Sequence, residues 1–196
     1  IGYRKAIYIP FPQAIPKVPV IDRDNCIFFQ KGRCKACEKL CQAKAINFSQ
    51  QDETRELDVG AVIISPGYEL FDPKLKDKLG YGKFPNVITS IQFERMLSAS
   101  GPQQGMVFRP SDGEHPKKVA FIQCVGSREV ERNYCSAVCC MYATKEAIIA
   151  KEHQPDLECH IFYIDLRAFG KGFDEYYDRA KKAGVKYTRC RPSAIK

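Results

Sequence analysis

The sequence contains no apolar run long enough to cross a membrane, since Lys, Arg or Asp interrupts every candidate. No signal-peptide pattern stands at its start, so nothing marks the chain for export. Its histidines have no carboxylate or nucleophile pattern nearby, which argues against a hydrolytic enzyme: they are His115, His153 and His160. We therefore expect a cytoplasmic protein that is not integral to a membrane.

The glycine fingerprint G-x-G-x-x-G, which binds the pyrophosphate of a dinucleotide, is also absent. The chain opens on Ile1 rather than Met, and its end, VKYTRCRPSAIK, resembles a strand cut off before its next connection. We therefore expect an internal segment of a longer protein, in which motifs absent here lie elsewhere.

The net charge of +8 comes from basic residues that are spread along the chain rather than gathered in one patch. A nucleic-acid-binding protein more often carries a dense basic patch with interleaved aromatic residues. We therefore expect no nucleic-acid partner. The basic residues are interpreted either as a solvated surface or as a surface for an acidic redox partner.

Ten cysteines are the most informative part of the composition. A secreted disulfide scaffold is usually shorter and lacks such long helix and strand patterns. Clustered cysteines in a chain of this kind more often bind metal. Eight of the ten fall into two groups of four, whereas Cys159 and Cys190 are isolated in sequence and are expected to be buried thiols.

The first quartet consists of Cys26, Cys34, Cys37 and Cys41, and its last three members read C-x2-C-x3-C, as in bacterial ferredoxins. Two features depart from that pattern: seven residues separate Cys26 from Cys34, and Gln42 stands where ferredoxins usually have Pro. The spacing favours a [4Fe–4S] cluster. The alternative is a four-cysteine zinc site in an interaction module without a redox role, although zinc sites more often use two separated C-x2-C pairs.

The second quartet consists of Cys124, Cys135, Cys139 and Cys140, and it follows the predicted strand VAFIQC. In a dinucleotide-binding unit this turn carries the glycine fingerprint and leads into a helix whose N-terminus faces a pyrophosphate. Here the turn reads CVGSR, and cysteines stand at the start of the predicted helix. The pattern leaves open an anionic cluster held at the helix start, buried structural cysteines or a redox-active thiol pair, and it argues against NAD(P)H binding.

The hydrophobic pattern predicts an α/β fold with a parallel sheet unit. After residue 117 it gives strands and helices in the order β-α-β-α-β: Lys118–Gln123, Ser136–His153, His160–Asp165, Phe173–Ala183 and Val185–Thr188. Before residue 117 it predicts a buried strand over Leu57–Ser65. It also predicts a helix capped by Thr89 or Ser90 and running to Ser98, with Ile91, Met96 and Leu97 on its buried side.

Several segments together resemble the A subunit of CoB–CoM heterodisulfide reductase and related iron–sulfur flavoproteins of anaerobes. They are CVGSR, YCSAVCCMYATKEA, IDLRAFGKGF, PNVITSIQFERMLSASGP and RKAIYIPFPQAIP. The resemblance implies a Rossmann-like core of the thioredoxin-reductase type with a small inserted ferredoxin-like α+β domain. The implied divisions are 1–19 (strand and linker of the core), 20–56 (inserted domain), 57–116 (core strand, loops and helix) and 117–196 (Rossmann-like unit).

The resemblance also implies cofactors and roles. Each quartet would hold a [4Fe–4S] cluster, and FAD in the intact protein would lie near Ser65, Pro66, Gly67 and Lys145, the first three standing where relatives usually have Ala-Thr-Gly. The implied activity is electron transfer within an FAD-dependent, electron-bifurcating oxidoreductase. The implied partners are the other subunits of a heterodisulfide reductase-type complex and a redox donor such as a hydrogenase or dehydrogenase.

Overall fold

The computed structural model describes residues 4–11 and 13–196, and the chain divides after Tyr68 into two units that are described separately below. The domain boundaries predicted at 19/20, 56/57 and 116/117 stay predictions. Within the described residues, no helix combines the length and the apolar character that a membrane crossing requires.

The unit before Glu69 contains little regular structure. Strands β1 (Ile7–Tyr8) and β2 (Val20–Ile21) pair antiparallel. Two five-residue helices follow, α1 (Ile27–Lys31) and α2 (Ala36–Leu40). Three aromatic rings pack together beside them, with centroids 4.4 to 5.7 Å apart: Phe28, Phe29 and Phe48. This ring cluster supplies the apolar contact that two such short helices need, because isolated helices of this length are unstable in water.

The unit after Tyr68 is built on a parallel sheet of three strands in the order β3 (Lys118–Ile122), β4 (Glu158–Tyr163) and β5 (Lys186–Arg189). Parallel neighbours need crossover connections, and helices supply them here. Before the sheet, the chain forms helix α3 (Ser90–Leu97). Helix α4 (Cys139–His153) connects β3 to β4, and α5 (Phe173–Lys182) connects β4 to β5. The predicted α/β class, the element order and the parallel pairing are confirmed.

Helix α3 packs on α4 and begins with a reciprocal capping box. The Gln92 backbone N–H donates to Thr89 Oγ1 at 3.3 Å, and the Thr89 N–H donates to Gln92 Oε1 at 2.9 Å. The predicted cap is therefore confirmed. The predicted buried side is wrong at Ile91, which is 42% exposed. Phe93 takes the inward position instead, and its ring meets the Phe121 ring edge to face, with the ring centroids 5.4 Å apart.

Small side chains allow α4 to lie close to the sheet. Ala143, Ala147 and Ala150 of α4 are buried, and so is Ile161 of strand β4. They belong to one hydrophobic core, whose other buried members are Phe93, Met96, Leu97, Val107, Ile148, Leu157, Cys159, Ala180 and Val185. The close packing of α4 fixes its first turn relative to the end of β3.

Three local predictions are wrong. Residues 57–65 have no regular structure and are exposed, with Ile63 at 91%, since no neighbouring strand pairs with them in the described part of the chain. Helix α4 begins three residues later than predicted, because Ala137 has a left-handed backbone with φ 63°. Cys190 is exposed just after β5, whereas Cys159 is fully buried as expected.

Glu146 is the buried acid of α4. It is 1% exposed, and its Oε2 has no hydrogen-bond partner among the described residues. Burial raises the pKa of Glu146 to about 8 from an ordinary 4.5, the charge of Glu94 adds to the effect, and Lys145 opposes it. Because the folded state retains a proton that the unfolded chain releases, stability should fall as pH rises from about 4.5 to about 8.

Replacing this acid by its neutral isostere tests that dependence. Glu146→Gln should raise the melting temperature at pH 8 but hardly change it at pH 4.5, with a stabilisation on the order of 3–5 kcal/mol at most. The control is Glu152→Gln, which alters a half-exposed acid of the same helix. Thermal unfolding at both pH values is the measurement, and parallel pH profiles for E146Q and the parent would contradict the assignment.

Candidate functional site

The second quartet lies at the junction between β3 and α4. Cys124 stands two residues after β3, at its carboxyl end, and Cys139 and Cys140 are the first two residues of α4. Cys135 lies in the loop between β3 and α4. No side chain caps the start of α4, which leaves the positive end of the helix dipole facing this junction.

The four thiols of the second quartet act on one another electrostatically. Burial raises the pKa of Cys124, and the neighbouring Cys140 and Cys135 raise it further. The pKa of Cys139 is raised first by its hydrogen bond to Cys140, then by burial, and then by the charges of Cys140, Cys124 and Cys135. The fold therefore brings all four members of this quartet into one neighbourhood.

Cys140 differs from Cys124 and Cys139 in that its pKa is lowered. Its hydrogen bond from Cys139 lowers its pKa, burial opposes this, and the positive charges of Arg167 and Arg128 lower it further. Its Sγ lies 3.6 Å from the carbonyl oxygen of Asp165, and the residue is 2% exposed. A buried thiolate beside arginines is a chemically competent metal ligand.

Left-handed backbone is concentrated around the cysteines. Among the described residues seven non-glycine positions have positive φ, and all except Gln104 belong to or flank a quartet: Cys34, Lys35, Lys44, Cys124, Arg128 and Ala137. Each costs roughly 1–3 kcal/mol, and such conformations cluster at functional sites. In the second quartet the strained Ala137 donates its N–H to Cys135 Sγ at 3.4 Å.

Gly126 allows the loop after Cys124 to approach the rest of its unit closely. Its φ is 74°, and a Cβ atom placed there would lie 2.2 Å from Cγ of the Phe71 ring. No side chain fits this position, so the turn that carries Cys124 depends on a glycine.

A matched pair of alanine substitutions tests this dependence. Gly113 has a φ of 75°, but a Cβ atom added there would have nothing within 4 Å, so Gly113→Ala measures the backbone effect alone. Gly126→Ala should destabilise the protein by roughly 1–3 kcal/mol more than G113A, because the new methyl group must displace a packed ring. Denaturant unfolding of both variants is the measurement, and equal losses would contradict the close approach.

The first quartet is carried by α1, α2 and the turns beside them. Cys26 is the N-cap residue of α1, Cys37 lies inside α2, and Cys41 is its C-cap residue. Cys34 stands between the helices with φ 98° and is exposed, whereas the other three are partly buried. The Ala45 N–H donates to Cys41 Sγ at 3.4 Å, which is the type of contact that stabilises a thiolate ligand.

In the described residues, no set of three or more His, Cys, Asp or Glu side chains is arranged to hold a single metal ion. Bonds of about 2.3 Å to one tetrahedral zinc would place the sulfurs about 3.8 Å apart. A cuboidal cluster binds each thiolate at a different iron and therefore spreads them more widely. The two kinds of site thus require different spacings of the four sulfurs.

The residues proposed to lie near FAD are found in different settings. Lys145 is half exposed on α4, and its Nζ donates to Glu94 Oε1 at 2.9 Å, which raises the pKa of Lys145. The segment Ser65, Pro66 and Gly67 is exposed, and Gly67 has a φ of 76° with open space around it. The roles of these residues toward FAD stay predictions.

Sequence reasoning missed a pair of charges beside the second quartet. Arg128 donates from Nη2 to Oδ2 of Asp165 at 2.6 Å, and Arg128 acts electrostatically on Cys124 and Cys140. Asp165 follows β4 by two residues, as Cys124 follows β3. The usable signal was that carboxyl ends of neighbouring parallel strands meet at the same sheet edge.

Comparison with curated proteins gives relatives that match the whole chain. It is 49% identical over 198 residues to the A subunit of the H(2):CoB-CoM heterodisulfide,ferredoxin reductase of Methanothermobacter thermautotrophicus. It is 50% identical over 198 residues to the iron-sulfur A subunit of the CoB--CoM heterodisulfide reductase of Methanocaldococcus jannaschii. It is 48% identical over 197 residues to the A subunit of the Ferredoxin/F(420)H(2)-dependent CoB-CoM heterodisulfide reductase of Methanosarcina acetivorans.

All of this chain is covered in each comparison, but it spans only 29%, 29% and 24% of these relatives' lengths. No protein-family model matches the chain.

Proposed function

Because the chain is homologous over its whole length to a part of the heterodisulfide reductase A subunit, we propose that it is an electron-transfer segment of an oxidoreductase of that type. The observation that carries the proposal is the grouping of the second quartet at the junction of β3 and α4. In this proposal each quartet holds one [4Fe–4S] cluster. A bound cluster supplies one-electron chemistry, because its irons share an added electron.

The second quartet has the donors that such a cluster requires. Its four thiols act on one another, three of them are buried, and the start of α4 directs its positive dipole end toward them. Burial keeps water from the site, while Arg128 and Arg167 offset part of the negative charge. These features support an anionic cofactor where related folds bind a pyrophosphate.

The first quartet is the proposed site of the other cluster. Its support is the C-x2-C-x3-C spacing, the N–H contact to Cys41 Sγ and the left-handed turn at Cys34 and Lys35, which lets the chain curve around a bulky group. The Nζ atom of Lys35 also lies over the Phe28 ring, 4.9 Å from the ring centroid, which connects this turn to the aromatic cluster.

The order β3-α4-β4-α5-β5 with parallel pairing supports a Rossmann-like unit over 117–196. The small size of the unit before Glu69, with its two short helices and two short strands, supports a ferredoxin-like insertion over 20–56. We propose that the segments 1–19 and 57–116 belong to the flavoprotein core.

FAD belongs to this proposal as a cofactor of the intact protein. Bound FAD would exchange electron pairs for single electrons, which is the chemistry that electron bifurcation requires. Lys145 would place a positive charge near the flavin, and the open backbone at Gly67 would let a ligand approach closely. The proposed partners are the other subunits of the reductase and a hydrogenase or dehydrogenase as donor; one relative is named for H(2) and ferredoxin.

Metal analysis of cysteine variants tests the second quartet. In protein purified anaerobically, Cys135→Ser combined with Cys139→Ser should remove roughly four irons and four sulfides per chain. Cys190→Ser, which alters an exposed cysteine outside both quartets, should leave the iron content unchanged. Iron content that is the same in the double variant and in the parent would overturn the proposal for this site.

A separate pair of variants tests the first quartet. Cys34→Ser combined with Cys37→Ser should also remove roughly four irons and four sulfides per chain. Loss of about one zinc instead, with iron and sulfide unchanged, would establish the zinc-stabilised interaction module for this quartet.

A further inference from the structure

Arg128 occupies a fixed place in the loop after Cys124. The Ser127 N–H donates to the Cys124 carbonyl at 3.3 Å, and the Arg128 N–H donates to the Tyr134 carbonyl at 3.0 Å. The Arg128 backbone is left-handed, with φ 57°, which is unfavourable for a residue with a side chain. Arg191 holds this conformation from outside the loop, donating from Nη1 to the Arg128 carbonyl at 3.0 Å.

The Arg128 guanidinium is directed into the protein rather than toward water. Its side chain is 20% exposed, and Nη1 is buried without a hydrogen-bond partner among the described residues. Its other terminal nitrogen donates to Asp165 at 2.6 Å. A buried guanidinium nitrogen without an acceptor is uncommon, because arginine forms five donors that normally all find partners.

The ion pair with Asp165 places the charge of Arg128 at the second quartet. Asp165 accepts from Arg128 Nη2 at 2.6 Å, and its backbone carbonyl oxygen lies 3.6 Å from Cys140 Sγ. Arg128 itself belongs to the loop that joins Cys124 to Cys135. The guanidinium is therefore a positive charge held beside the sulfurs of this quartet.

Asp165 holds Arg128 in place, but its single negative charge does not neutralise both arginines that pair with it. Arg189 donates from Nη2 to the other oxygen of the same carboxylate at 3.0 Å, so that two guanidinium groups share one carboxylate. Arg189 is 73% exposed, whereas Arg128 is mostly buried. Two positive charges therefore share one negative charge, and of the two arginines Arg128 is the one that water screens less.

We propose that Arg128 raises the reduction potential of the cluster at the second quartet. This inference rests on the proposed function, since it requires a cluster at that quartet. One-electron reduction adds one negative charge to the cluster, and the electron comes from an external reductant. A fixed cation stabilises the reduced form more than the oxidised form and so raises the potential. Arginine keeps its proton at all accessible pH values, so the contribution is permanent.

Potentiometric titration of the anaerobically purified protein, followed by electron paramagnetic resonance, tests this role. The signal of the second cluster is the one that C135S/C139S lacks. Arg128→Gln should favour the oxidised form roughly tenfold, which lowers the one-electron midpoint potential by about 59 mV. Arg128→Lys should keep the midpoint potential close to that of the parent, because lysine retains the positive charge. Arg189→Gln removes the exposed partner of the same carboxylate and should leave the potential unchanged.

The outcomes separate this inference from the proposed function. If R128Q has the parent potential, or if R189Q shifts it as much as R128Q does, the role of Arg128 is overturned while the cluster remains established. If R128Q contains no second cluster, the R128K variant decides between the outcomes. A cluster with the parent potential in R128K supports the proposed role of the positive charge, and loss of the cluster in R128K overturns that role. Unchanged iron in C135S/C139S would instead refute the cluster itself.

Discussion

Mutual repulsion among thiolates is the constraint on which the junction of β3 and α4 depends. Four negatively charged sulfurs would destabilise one another at short range. This repulsion adds to burial in raising the pKa of Cys124, and it adds to the hydrogen bond with Cys140 and to burial in raising the pKa of Cys139. The fold offsets this with features of opposite sign: an uncapped helix start, the Ala137 N–H that donates to Cys135 Sγ, and arginines on the neighbouring loops. The uncapped helix start depends on the position of α4 against the sheet, whereas Asp165 and Arg191 hold Arg128 from other parts of the chain.

The parallel sheet determines which groups meet at that junction. Cys124 and Asp165 follow adjacent strands, so they reach the same edge of the sheet although they are far apart in the sequence. The small side chains of α4 let its first turn approach this edge, and Gly126 lets the loop after Cys124 pass Phe71. Core packing and the proposed cofactor chemistry are thus linked through a few close contacts.

Local patterns in the sequence predicted local structure well. The cap at Thr89, the parallel strands and both crossover helices were predicted because periodicity and capping chemistry act over a few residues. The left-handed Ala137 has no glycine to reveal it, so the start of α4 was placed too early. The ion pair of Arg128 with Asp165 depends on strand order, and residues 57–65 needed a neighbouring strand, which no local pattern supplies.

The proposed function depends above all on one four-iron cluster surrounded by Cys124, Cys135, Cys139 and Cys140. Anomalous diffraction at the iron absorption edge, from crystals grown without oxygen, tests this arrangement most directly. We expect roughly four iron positions at the junction of β3 and α4, each bonded to one of these sulfurs. A single tetrahedral ion at this junction, or iron bound by other residues while these thiols remain free, would contradict it.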